Sequence, residues 1–115
     1  MGKSYKEITR DISKELMTFR KEAQAPMSGF DMMAKSAMAE GVLSALQKEL
    51  IATAIAVSTR CEGCIGFHVR GLVKLGATRE QINEMLAVAV YMGGGPSLMY
   101  AAEVLAAYEE FSAQA

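Results

Sequence analysis

The chain has 115 residues, which is the size of one domain spanning 1–115. Hydrophobic residues make up 51% and charged residues 22%, which excludes an intrinsically disordered chain. The 12 Lys and Arg against 13 Asp and Glu leave a net charge of −1, and Trp is absent. That composition carries no electrostatic footprint for nucleic acid or an anionic membrane, and no base-stacking platform.

Helix formers dominate, and no window alternates in the strand period, so the fold class is all-α. A first helix is expected from about Tyr5 to Ala23, with Ile8, Ile12, Leu16 and Phe19 on one face and Pro26 ending it. A shorter second helix follows from Met27 to Ala39, closed by Gly41. Its Met27, Met32, Met33 and Met38 suit adaptable packing at a subunit contact. Ser44 with Gln47 forms a capping box and starts a third helix, to about Thr59, with Leu46, Leu50 and Val57 as its apolar ridge. Cys61 to Leu75 forms a fourth helix, stopped at Gly76. Thr78 with Gln81 is a second capping box and opens a fifth, to about Met92. The run Gly93-Gly94-Gly95-Pro96 breaks the chain. Its backbone can also approach a neighbouring helix closely. A sixth helix runs from Ser97 to about Ser112, set by Ala101, Leu105 and Tyr108.

Mean hydropathy is +0.16, high for a short soluble chain. A domain this small buries only about 60–70% of its unfolded surface, so apolar residues stay exposed on one copy. Assembly as a homo-oligomer is the economical expectation. The longest uncharged run, Met85 to Ala102, is cut by the glycines and Pro96 into halves shorter than the about 20 residues a membrane span needs. Residues 3–22 mix charged and apolar side chains, unlike a signal peptide, and Lys6 breaks the myristoylation pattern that Gly2 would begin. The expectation is a cytoplasmic protein, where two cysteines are redox-active or metal-binding more often than a structural staple.

Both cysteines lie in Cys61-Glu62-Gly63-Cys64, and the one histidine, His68, follows Cys64 by four residues. Steps of three and four put positions 61, 64 and 68 on one helical face. The cysteines fall at the start of the fourth helix, where free N–H groups and the helix dipole favour a thiolate. His68, one turn on, can accept the thiol proton or stabilise the thiolate. Residues three apart can also close a disulfide. Such a pair can cycle between dithiol and disulfide.

Glu49 shares a face of the third helix with Ala45, Ala52, Thr53 and Ala56, a stripe where another helix can come close. A glutamate there is expected to be part-buried, facing His68 and Cys64 across the hairpin and serving as general base or orienting the imidazole. Glu62, between the cysteines, reads as solvent-facing. Its charge suits the helix dipole but slightly opposes a thiolate.

Glu49, Cys61-x-x-Cys64-x-x-x-His68, Gly76-Ala77-Thr78 and Tyr91-Met92-Gly93-Gly94-Gly95-Pro96 resemble the alkylhydroperoxidase (AhpD-like) branch of the carboxymuconolactone decarboxylase family, from roughly Ala39 to Ala107. The resemblance implies an all-helical domain assembled as trimers or hexamers, with no organic cofactor or metal. It implies a thiol-dependent oxidoreductase that reduces hydroperoxides. Cys64 would be peroxidatic. Cys61 would be resolving and nearer the surface. Glu49 and His68 would be proton-relay residues. The family's peroxidases carry a further histidine just before the second cysteine; here that residue is Gly63. The substrate would be a hydroperoxide or another small electrophile, and the reductant a lipoyl-bearing or thioredoxin-like dithiol protein.

Two other readings stand beside this one. The pair could run a thiol–disulfide relay with little peroxide turnover. Alternatively, Cys61, Cys64 and His68 offer three zinc ligands of the right chemistry, with Glu49 a possible fourth, in a non-redox helical module. A purely structural disulfide is a poor account, since so short a loop adds little stability.

Overall fold

The computed structural model describes residues 2–113. Six helices follow in order: α1 (Tyr5–Glu22), α2 (Gln24–Met38), α3 (Ala45–Ser58), α4 (Glu62–Lys74), α5 (Arg79–Gly93) and α6 (Gly95–Ser112). Among the described residues there is no strand. The all-α expectation holds.

Both capping boxes form. Ser44 Oγ accepts from the Gln47 N–H, and the Gln47 side chain accepts from the Ser44 N–H; Thr78 and Gln81 repeat the arrangement. Each box satisfies two N–H groups that a helix start would leave open. The first two helices are divided differently from the sequence expectation. The break falls at Ala23, and Pro26 lies within the first turn of α2 rather than ending α1. Proline is tolerated there, because a first-turn N–H has no intrahelical partner to lose. The second break is also narrower than expected. Gly94 alone turns the chain, at φ 71°, and Gly95 and Pro96 already belong to α6.

The core gathers Val57 of α3, Ile65, Val69 and Leu72 of α4, Ile82 of α5 and Val104 of α6. α4 is the central element, packed against α3, α6 and α1. The expected apolar ridge of α1 is displaced. Tyr5 and Thr9 are the buried residues, Ile8, Ile12 and Leu16 are half-buried, and Phe19 is exposed. The cause lies on α4. A Cβ at Gly66 would come within 2.6 Å of Thr9 Cγ2 and 3.3 Å of Tyr5 Cδ1. The missing side chain lets α1 approach there. Thr9 satisfies its hydroxyl by donating to the carbonyl of Tyr5 at 2.9 Å, so it can be buried at little cost. The inner stripe of α6 is Ala101, Val104, Ala107 and Phe111, with Leu105 and Tyr108 half-buried beside it. Ser97 of α6 seats against Gly93, the close approach expected of the glycine run.

α2 buries none of its residues, and Met32 and Met33 stand 71% and 62% exposed. Among the described residues, no helix is long and apolar enough to cross a membrane.

Candidate active site

The chain leaves α3 through Thr59 and Arg60. Arg60 takes the left-handed conformation at φ 55°, and Cys61 N–H donates back to the Ala56 carbonyl at 3.0 Å. This turn sets Cys61 at the N-cap of α4, one position before the helix that the sequence was expected to start with it. Cys61 Sγ accepts from the backbone N–H of Cys64 at 3.2 Å, doing the work of a capping serine. Cys61 and Cys64 are joined as a disulfide with Cα atoms 5.2 Å apart. On reduction, a sulfur in this position faces the open N–H groups and positive dipole end of α4, which favour the thiolate.

In the single chain Cys64 is exposed and Cys61 is half-buried. This reverses the order implied by the resemblance, in which Cys61 lay nearer the surface. The N-cap position accounts for it. Cys61 is tucked against the end of α3, while Cys64 has turned outward by the first helical turn.

Glu49 of α3 and His68 of α4 come together. His68 Nδ1 lies 3.1 Å from Glu49 Oε1 and 3.4 Å from Oε2. The Glu49 side chain is 14% exposed and that of His68 is 33% exposed. With an ionised carboxylate, which only accepts, a neutral ring in this contact has its proton on Nδ1 and its lone pair on Nε2. Thr53, buried on the same stripe, spends its hydroxyl on the Glu49 carbonyl at 2.8 Å.

Gly71 was not singled out from the sequence, yet it permits this contact. A Cβ there would collide with Glu49 Oε2. It lies three residues beyond His68, on the face of α4 turned to α3. Spacing alone could have marked it, because 64, 68 and 71 continue one stripe. Beside the pair is an open cleft of about 450 Å³ with walls from Met38, Phe67, Lys74 and Leu75.

The expected residues therefore form two pairs, the disulfide and the carboxylate–imidazole. Helical spacing sets His68 one turn beyond Cys64. No hydrogen bond among the described residues joins a sulfur to His68 or Glu49. Gly63, where the resembled peroxidases have a histidine, faces α1: a Cβ there would come within 2.7 Å of Ile12 Cδ1. Among the described residues, no group of three or more His, Cys, Asp or Glu side chains is arranged to hold a metal ion.

The sequence matches the carboxymuconolactone decarboxylase family over residues 24–107. The chain belongs to this family. An uncharacterized protein of Cupriavidus necator is 40% identical over 103 residues, covering 90% of this chain and 91% of that one. The uncharacterized protein 4 of the cox locus of Paracoccus denitrificans is 41% identical over 81 residues, covering 70% and 73%. Among solved structures, the apo form of a carboxymuconolactone decarboxylase family protein from Legionella pneumophila superposes with a TM-score of 0.93 at 57% identity, covering 94% of this chain and 96% of that chain. A Thermotoga maritima member of the family, at 24% identity and a TM-score of 0.80, covers 89% and 87% and shares the fold. In the carboxymuconolactone decarboxylase fold of this chain, the four expected site residues lie on α3 (Glu49), at the N-cap of α4 (Cys61) and on α4 (Cys64 and His68).

Proposed function

We propose that this protein is a thiol-dependent oxidoreductase that reduces hydroperoxides through Cys64 and Cys61, assisted by Glu49 and His68. The observation that carries the reading is the disulfide at the N-cap of α4 with the Glu49–His68 pair one turn further on. A part in the antioxidative response has been suggested for the Thermotoga maritima family member, which fits the same chemistry.

The reaction balances in four steps. His68 Nε2 takes the Cys64 thiol proton while Glu49 holds the ring. The Cys64 thiolate attacks the terminal peroxide oxygen; the O–O bond breaks, the alkoxide takes a proton, and Cys64 becomes a sulfenic acid. The Cys61 thiol then displaces the sulfenic oxygen as water, and the disulfide forms. A partner dithiol reduces it by exchange and leaves as its own disulfide. The apolar wall of half-buried Met38 and Phe67 and exposed Leu75 suits the organic part of the peroxide. The partner would be a lipoyl-bearing or thioredoxin-like protein of the cytoplasm.

The test is stopped-flow mixing of the reduced protein with an organic hydroperoxide, followed by mass spectrometry. Rapid loss of both thiols with formation of one intramolecular disulfide is expected. Cys64→Ser should abolish the fast phase, and Cys61→Ser should accumulate sulfenic acid. If the thiols persist in peroxide but exchange readily with a dithiol protein, the activity is a disulfide relay instead.

A further inference from the structure

Glu62 stands between the two cysteines; its side chain is 43% exposed, the solvent-facing place expected from the sequence, and its carboxylate is also paired. Lys3 Nζ donates to Glu62 Oε2. The same ammonium lies 3.0 Å from Glu103 Oε1 of α6. Glu103 also accepts from the hydroxyl of Tyr5, a residue only 1% exposed. The backbone just beyond Lys3 is fixed as well. Glu110 accepts from Ser4 Oγ at 2.6 Å and from the Tyr5 N–H at 2.7 Å. Lys3 is a surface lysine, its side chain 42% exposed, but carboxylates meet it from two sides. Groups on α4 and α6 hold it at the mouth of the CxxC turn. Bonds to Glu62 first, then Glu103, keep its amine charged well above the usual lysine range.

The position of Glu62 makes this matter. Glu62 is the sequence neighbour of Cys61, about 3.8 Å away at Cα, and precedes Cys64 by two residues in the first turn of α4. Unpaired, its charge would disfavour a thiolate at either cysteine. Lys3 offsets one of the two negative charges that Glu62 and Glu103 bring against it, and the glutamate can keep its favourable place at the helix start. We propose that Lys3 is a positioning residue of the redox site, its positive charge offsetting that of Glu62 so that the reduced Cys61–Cys64 pair keeps the thiolate form that attacks. This rests on the redox reading of the site.

The experiment is the pH dependence of iodoacetamide alkylation of the chemically reduced full chain. Wild type is compared with Lys3→Met, Lys3→Arg, Glu62→Gln and the double variant Lys3→Met/Glu62→Gln. Lys3→Met should slow alkylation at pH 7 by about three- to tenfold and move the profile to higher pH, the scale of one nearby charge at a part-exposed site. Lys3→Arg should stay within about twofold of wild type, because the charge is kept. The double variant should return to within about twofold of wild type, since neither charge remains. A purely structural role would persist in the double variant, which lacks the contact as completely as the single one. A Lys3→Met profile that coincides with wild type overturns the proposal, and so does a shift that Glu62→Gln fails to relieve. No peroxide enters this assay, so failure of the peroxidase reading and failure of the Lys3 assignment are separate outcomes.

Discussion

Glu49 and His68 meet at 3.1 Å across the α3–α4 turn, over a glycine whose missing side chain leaves room for the carboxylate. The carboxylate fixes Nδ1 and frees Nε2. Glu49→Gln keeps the shape but removes the charge that stabilises an imidazolium. Attack of Cys64 on a hydroperoxide should slow by on the order of 10²-fold, the ordinary worth of positioned general acid–base help. Stopped-flow rates check this. An unchanged rate would remove Glu49 from the mechanism.

Gly71→Ala tests the same contact from the other side. The atom in the way is the far end of the Glu49 side chain, which can swing aside. Stability should change little, because alanine's helix propensity, worth about 1 kcal/mol over glycine, offsets the lost contact. The reaction should slow much as it does in Glu49→Gln. A denaturant midpoint near wild type with a slowed peroxide reaction is the expected combination.

Gly66→Ala, one and a half turns earlier on the same helix, should behave in the opposite way. Its new methyl would press on Thr9 and on the ring of buried Tyr5, which cannot move without shifting α1. Overpacking of this kind costs about 1–3 kcal/mol. Urea denaturation should show that loss. The Cys64 reaction should stay near wild type in the fraction that remains folded.

Acid should loosen the seam between α1 and α6. Burial pushes Glu110 up, but bonds from Ser4 Oγ and the Tyr5 and Lys6 N–H groups outweigh it and hold the carboxyl below its usual range. Glu103 has the same balance: burial raises it, and bonds from Tyr5 and Lys3 bring it below normal. A carboxyl depressed in the folded state contributes stability above its unfolded value. That contribution is lost as pH falls through the folded one. Melting temperature should therefore drop as pH passes below about 4.3, the ordinary glutamate value. Glu110→Gln should be less stable at pH 7 and lose less on acidification. Thermal melts from pH 7 to pH 3 decide it.

A second copy is the expected cover for the apolar surface. Ile55 of α3 and Val88, Tyr91 and Met92 of α5 are each more than half exposed, as are Met32 and Met33 of α2. Light scattering of wild type should give a mass of several chains. Val88→Glu or Met32→Glu should reduce it if that residue lies in the contact. A monomer at all concentrations would contradict the assembly.

The helices and the grouping of the motif residues were decided by the sequence itself, because their signals act within one or two turns. Capping boxes at Ser44 and Thr78, the left-handed Gly76 stop and the 61–64–68 spacing are local geometry. Such features need no knowledge of what packs where. The tertiary structure decided the pairings across the chain. Glu49 reaches His68, 19 residues away, because α3 and α4 turn their small residues toward each other. Lys3 reaches Glu62, 59 residues away, because α1 lies on the glycine face of α4. The same close packing buried Tyr5 and Thr9 where a hydropathy stripe put Ile8 and Phe19. Side-chain periodicity says which residues share a face; only the meeting of two faces says which is partnered, at what distance, and with what charge beside it.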